Sequence, residues 1–118
     1  MKDDSKRRSI FFFPDSLLTR ELSWKPQADV YRIEGGWILK FDLAGVRLED
    51  VKIWIERNVV FVAGVRRDVH IDQSWTCYSS EISYSHFERS IALPHDLENS
   101  RIELEYRDGI LLIRILSH

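Results

Sequence analysis

The chain has 118 residues, with 17 Lys or Arg against 19 Asp or Glu, for a formal charge of −2. That length holds one domain around one core. The near-balanced charge, mixed along the chain, gives no electrostatic case for nucleic acid or an anionic membrane surface. No apolar run approaches the ~20 residues that span a bilayer.

Residues 1–23 read as an arm of different composition. Met1 to Ser9 is charged and polar, and Ile10, Phe11, Phe12 and Phe13 follow as a dense apolar patch. Pro14-Asp15 cuts the patch short, so Lys6-Arg7-Arg8 does not introduce a full secretory signal, and no small-residue cleavage site follows. Asp15 or Ser16 is placed to cap a helix carrying Leu17, Leu18 and Leu22. A helix of barely two turns is unstable alone. Its apolar face needs a surface, either on its own domain or on a partner or client.

Trp24-Lys25-Pro26 marks the boundary, and from there the pattern is strand, turn, strand. Ala28 to Ile33 alternates, with Val30 on one face and Tyr31 on the other. Gly35-Gly36 reads as a hairpin turn because Gly reaches positive φ without steric cost. Trp37, Leu39, Phe41 and Leu43 then alternate with Ile38, Lys40 and Asp42, the period of a half-buried strand. Ala44-Gly45 breaks that strand, and Leu48-Glu49-Asp50 is a short turn. Val51, Ile53 and Ile55 alternate with Lys52, Trp54 and Glu56. Arg57-Asn58 turns, with Asn the residue that tolerates the left-handed region. Val59 to Val65 is apolar on both faces, as expected in the middle of a sandwich.

Arg66 to Ser85 has no clean periodicity. It is polar yet carries Val69, Ile71, Trp75, Tyr78, Ile82 and Tyr84. A connection of this length inside one domain is often functional, and Trp75-Thr76-Cys77-Tyr78 has the composition of a short extra strand. His86 to Leu93 is a strand stopped by Pro94, which has no N–H for a ladder. Ile102, Leu104 and Tyr106 alternate with Arg101, Glu103, Glu105 and Arg107. Asp108-Gly109 is the clearest turn, suited to a type I′ hairpin. Ile110-Leu111-Leu112-Ile113 is apolar on both faces, as in a covered strand or one that meets a partner. Seven or eight short strands without a long helix make an all-β sandwich or barrel.

No catalytic set emerges. His70, His86, His95 and His118 are scattered without zinc-ligand spacing. No phosphate-binding glycine loop is present, so neither a metal, a cofactor nor a nucleotide cycle is expected. Cys77 cannot pair within the chain, which fits a reducing, cytoplasmic setting. Glu49-Asp50 and Asp96 with Glu98 lie in turns, where acids serve solubility and local hydrogen bonds. Arg89 stands out. By alternation it shares a face with Phe87, Ile91 and Leu93. A charge on an apolar face needs a partner, either an intrachain carboxylate or a group across a subunit interface.

These residues carry a resemblance. Phe41–Ile53, F-D-L-A-G-V-R-L-E-D-V-K-I, is similar to D-L-P-G-V-x-x-E-D-I-x-V, with Ala44 where proline is usual. Val60–Arg66 matches L-x-I-x-G-x-R, and Phe87–Pro94 matches F-x-R-x-F-x-L-P. Leu104–Leu111 matches A-x-x-x-n-G-V-L, with Leu104 where alanine is usual. W-K-P-Q-A-D-V-Y, Trp24–Tyr31, looks like the opening strand. Each motif is weak alone, but five in order resemble the α-crystallin domain of small heat-shock proteins, in loop length the bacterial and plant branch. The domain would occupy residues 24–116.

The resemblance implies an immunoglobulin-like β-sandwich and an ATP-independent holdase that binds partly unfolded client proteins. It implies a homodimer in which Trp75, Thr76, Cys77 and Tyr78, within a strand around Trp75–Ser79, pair with Val30 and Tyr31 of a second copy, with Arg89 at the same interface. It implies a docking groove between Val51, Ile53, Ile55 on one strand and Ile102, Leu104, Tyr106 on another. The client-binding arm would be Ile10, Phe11, Phe12, Phe13, Leu17 and Leu18. The chain stops at Leu116-Ser117-His118, without the family's usual I-x-I anchor on a polar tail, because Ile113-Arg114-Ile115 lies inside the last strand. The expectation is therefore a dimer or small oligomer. The alternative is a non-chaperone interaction or regulatory module that assembles with a full-length paralogue.

Overall fold

A computed structural model describes residues 24–117. The arm residues Ile10, Phe11, Phe12, Phe13, Leu17 and Leu18 lie outside the described residues. Seven strands form where the alternation places them: β1 (Ala28–Ile33), β2 (Gly36–Asp42), β3 (Val51–Glu56), β4 (Val59–Arg66), β5 (Ser85–Ala92), β6 (Arg101–Arg107) and β7 (Ile110–Leu116). They build two antiparallel sheets, one ordered β1-β2-β7-β6 and the other β3-β4-β5. The sheets stack as the expected sandwich. One turn of 3-10 helix, Leu48–Asp50, leads into β3.

The core is the inner face of both sheets. Leu39, Phe41 and Leu43 from the β2 run, Leu111, Ile113 and Ile115 from β7, Val60 and Val62 from β4, and Phe87 from β5 are all buried. Val46, Leu93 and Leu97 close its ends from the loops. Register explains the selection. Leu39 pairs with Ile113 and Phe41 with Leu111, so alternate residues of adjacent strands project to one side. The central strands β4 and β7 bury only their inner residues. Their outer faces, expected to be covered, are half-buried at Phe61, Ala63, Val65 and Leu112.

The turns follow backbone chemistry, with two corrections. Asp108 and Gly109 both adopt positive φ, 55° and 81°, as a type I′ hairpin requires. The first hairpin turns on Glu34 and Gly35, not Gly35 and Gly36. Gly36 already pairs with Ile33 in the β1–β2 ladder, and it is glycine because a Cβ there would collide with the Ile115 carbonyl. Between β3 and β4 the left-handed residue is Arg57, at φ 58°, rather than Asn58. Asn58 instead donates its side-chain amide to the Leu93 carbonyl at 2.7 Å, and its own carbonyl accepts from Leu93 N–H at 2.8 Å.

The opening segment also differs from expectation. Trp24 does not begin β1. It forms a parallel bridge with Phe87, on the edge of β5. The chain then crosses from one sheet to the other through the buried Pro26 and enters β1 at Ala28, opposite Phe41. The proline suits a crossing point because it has no N–H to leave unpaired. This crossing puts β5 and β1 at one side of the sandwich, and so β3 and β6 at the other.

Candidate functional site

Two strand margins and one long connection hold the residues that the sequence singles out. The first margin is β1, an edge strand whose outer side pairs with no strand among the described residues. Val30 is 40% exposed and Tyr31 46%. The connection is 67–84, between β4 and β5. Trp75, Thr76 and Cys77 lie on it in irregular backbone and Tyr78 at a bend, and all four are exposed. The expected strand around Trp75–Ser79 is absent from the chain on its own. A strand is stable only alongside another ladder, and this segment pairs with none of the chain's own edges. The structure therefore does not bring Trp75 or Tyr78 to the chain's own Val30 and Tyr31.

The connection is nevertheless tied down at both roots. Arg67 Nε lies 3.1 Å from Asp50 Oδ2. The Arg67 hydrogen bond, with its charge, holds the Asp50 carboxyl below the usual carboxylate range, against a desolvation that pushes it up. At the far root, Arg66 Nε donates to the Ser83 carbonyl at 2.8 Å and Arg66 Nη1 to the Ala44 carbonyl at 3.0 Å. The Arg66 guanidinium also sits over Trp24. Between these anchors Val69, Ile71 and Ile82 are exposed with the two aromatics.

Among the described residues Arg89 has no intrachain carboxylate partner and is held by a backbone carbonyl instead. It faces inward by register, opposite Val62, and Nη1 donates to the Pro26 carbonyl at 2.9 Å. Its charge is thus solvated by the backbone of the sheet-crossing segment. A carbonyl at such a crossing is not written in local sequence, so charge pairing was the natural expectation.

The second margin is the β3/β6 side. Val51, Ile53 and Ile55 of β3 are half-buried and pack against the core, as does Tyr106 of β6. Ile102 and Leu104 face the same interior, opposite Ile115 and Ile113, yet Ile102 is 38% exposed and Leu104 53%. Inward-facing residues that stay exposed mean that the sheets part along this side. Tyr106 sets the limit of the opening, its hydroxyl lying 2.8 Å from the Leu43 carbonyl and 2.6 Å from that of Val46. Burial pushes the Tyr106 phenol above its usual range.

Some contacts were not anticipated. Trp54 stacks on Phe61 on the outer face of the second sheet, with centroids 5.0 Å apart and planes 6° off parallel. Alternation with Lys52 and Glu56 puts Trp54 on the polar side, but Phe61 lies in a run that is apolar on both faces, so only half of the pair carries a signal. Trp37 Nε1 donates to His95 Nε2 at 2.9 Å, which joins β2 to the β5–β6 connection. No local pattern links these two residues. Among the described residues no group of three His, Cys, Asp or Glu is placed to hold a metal ion, and no helix is long and apolar enough to cross a membrane.

A sandwich with an open strand edge, an apolar loop anchored at both roots and a parted margin defines a binding domain that works through surfaces. Residues 29–118 match the model of the Hsp20/alpha crystallin family, and the chain belongs to that family. Its members are non-enzymatic chaperones that typically oligomerise and bind client proteins. The chain is 28% identical over 106 residues to small heat shock protein C2 of Rickettsia felis, covering 90% of this chain and 68% of that protein. It is 33% identical over 87 residues to 18 kDa antigen 2 of Mycobacterium avium, covering 74% of this chain and 62% of the relative. Among solved structures, heat shock protein 16.0 from Schizosaccharomyces pombe superposes with a TM-score of 0.72 at 22% identity, over 80% of this chain and 87% of that one. That likeness shows the fold.

Proposed function

We propose that this protein is an ATP-independent holdase that binds partly unfolded proteins and suppresses their aggregation, acting as a homodimer in a reducing compartment such as the cytoplasm. One observation carries the reading: the 67–84 connection exposes Val69, Ile71, Trp75, Tyr78 and Ile82 beside a domain whose β1 edge is open. Burying a large apolar side chain contributes roughly 2 kcal/mol, so five contribute on the order of 10 kcal/mol. That is comparable with the ~4–15 kcal/mol that association costs. A ladder between Trp75–Ser79 and the β1 edge of a second copy adds the surplus. Arg89, beside the segment that leads into β1, then lies near the interface. A holdase needs apolar surface that competes with client self-association, and the parted β3/β6 margin is a surface suited to it.

The test is light scattering of several aggregating clients, with and without equimolar protein and without ATP. Suppression across clients is expected; no suppression of any client overturns the reading. A second reading rests on the exposure of Leu104 at 53% on an inward face. In it the β3/β6 margin hosts an apolar segment of a full-length paralogue, and the protein regulates assembly instead of holding clients. Saturable binding of an I-x-I peptide, with no client suppression, selects that reading.

A further inference from the structure

We propose that the outer face of the β3-β4-β5 sheet is the seat of this chain's own N-terminal segment, residues 6–18. The ladder registers lay this face out row by row. Trp54 lies across from Phe61 and Phe61 from Ser90. The next row is Lys52, Ala63 and Glu88, and Val65 pairs with His86 beyond it. An apolar column, Val59, Phe61, Ala63 and Val65, therefore runs along the central strand, with Trp54 stacked on its side and still 37% exposed. Beside it lies an open depression of about 490 Å³, floored by Ala63 and Val65 and walled by Asp50, Lys52, His86 and Glu88. A solvent-facing strand row is ordinarily polar. This one is apolar at its centre and charged at its rim, the anatomy of an interface.

Where the chain enters the described domain selects the occupant. Trp24 N–H donates to the His86 carbonyl at 3.1 Å, and Glu88 N–H donates to the Trp24 carbonyl at 3.3 Å. Residue 24 thus lies along the wall of the depression. The bridge to Phe87 is parallel, so the N-terminal side of Trp24 faces the Val65–His86 row. Reach is ample: ten residues lie between Phe13 and Trp24, and the connection spans up to about 36 Å when extended, while the outer strands of a three-stranded sheet lie about 10 Å apart. Chemistry agrees. The segment offers Lys6-Arg7-Arg8 and then Ile10-Phe11-Phe12-Phe13. The face offers an apolar column bordered by the exposed carboxylates Glu56 and Glu88. Small residues, Ala63 and Ser90, flank Phe61.

The experiment uses the full chain with benzoylphenylalanine in place of Phe12, prepared as an equal mixture of unlabelled and 15N-labelled protein. After irradiation, cross-linked peptides are mapped by mass spectrometry. Cross-links to Trp54, Phe61 or the Val65–His86 region, within one isotope label only, are expected. Phe61→Glu, which puts a carboxylate in the apolar column, is expected to lower their yield about tenfold or more with the circular dichroism spectrum unchanged. Val65→Glu is the second variant if Phe61→Glu fails to fold. Cross-links confined to Ile102 and Leu104, cross-links of mixed label that show a second copy, or no cross-link at all each overturn the proposal. Client suppression is not read here, so the outcome is independent of chaperone activity.

Discussion

The guanidinium of Arg66 lies 4.1 Å from the ring centre of Trp24 while donating to the Ser83 carbonyl and, through Nη1, to that of Ala44. One side chain at the end of β4 thereby joins the first described residue, the loop after β2 and the far root of the 67–84 connection. Lysine keeps the charge but cannot reach both carbonyls while stacking on the ring, because it lacks the planar fork. Arg66→Lys is expected to destabilise the fold by about 1 kcal/mol, lowering Tm by roughly 4–8 °C. Hydrogen exchange should quicken first at residues 67–84. An unchanged melting curve would show that these contacts contribute nothing.

Tyr106 ties β6 to the loop between β2 and β3. Its one hydroxyl proton serves two carbonyls, so Tyr106→Phe leaves both to water or unpaired. The expected cost is about 1 kcal/mol, read as a lower urea midpoint at constant m-value. Burial raises this phenol in the folded protein. Its contribution is therefore full below the unfolded phenol value of about 10, and it is lost as the pH rises through the folded value. The Phe variant should lack that alkaline loss.

The Arg67–Asp50 pair predicts an acid effect of opposite sign. Arg67 lowers the Asp50 carboxyl relative to the unfolded chain. The contact is then complete above the unfolded Asp value, about 3.9, and is lost as the pH falls through the folded value. Protease cleavage within 67–84 should stay constant from neutral pH down to about 5 and rise only below about 4. Asp50→Asn should cleave at the faster rate throughout. Equal rates for the two proteins at neutral pH would refute the anchor.

Strand exchange is tested by deletion. Removing Trp75–Ser79 takes away the segment proposed to pair with β1 while leaving the anchors of both roots, Arg67–Asp50 and Arg66–Ser83, in place. The expected product is a folded monomer by size-exclusion chromatography with light scattering. A dimer that survives the deletion would mean that other surfaces hold the copies together.

Much of the fold was legible in local pattern. The period-two alternations of Trp37–Leu43, Val51–Glu56 and Arg101–Arg107 became β2, β3 and β6, because a strand has to put its apolar residues on one face. Asp108-Gly109 turned as expected because few other pairs reach two positive φ values. The errors fell where local chemistry offered a choice. Gly35 and Gly36 both satisfy a turn, and only the approach of Ile115 shows which one the strand needs. Asn58 and Arg57 share a two-residue loop, and the Leu93 contacts reserve Asn58 for its side-chain amide. The arginine at position 89 was recognised as unusual, but its acceptor is a backbone oxygen 63 positions away in the chain. Composition and resemblance point to a strand at Trp75–Ser79, and one chain alone supplies it no ladder.

The amino-acid sequence by itself determined the number and period of the strands, the clearest turn, the family resemblance and the apolar character of the 67–84 connection. Each of these is set by contacts or backbone preferences within a few residues. Only the tertiary structure decided that Trp24 belongs to the edge of β5, that the sandwich parts beside Leu104, and that Trp54 and Phe61 share an outward face with the depression next to it. Those features depend on which strands become neighbours and on which edges stay open. They are set by long-range packing, in which a residue's partner is chosen by the whole fold and not by its position in the chain.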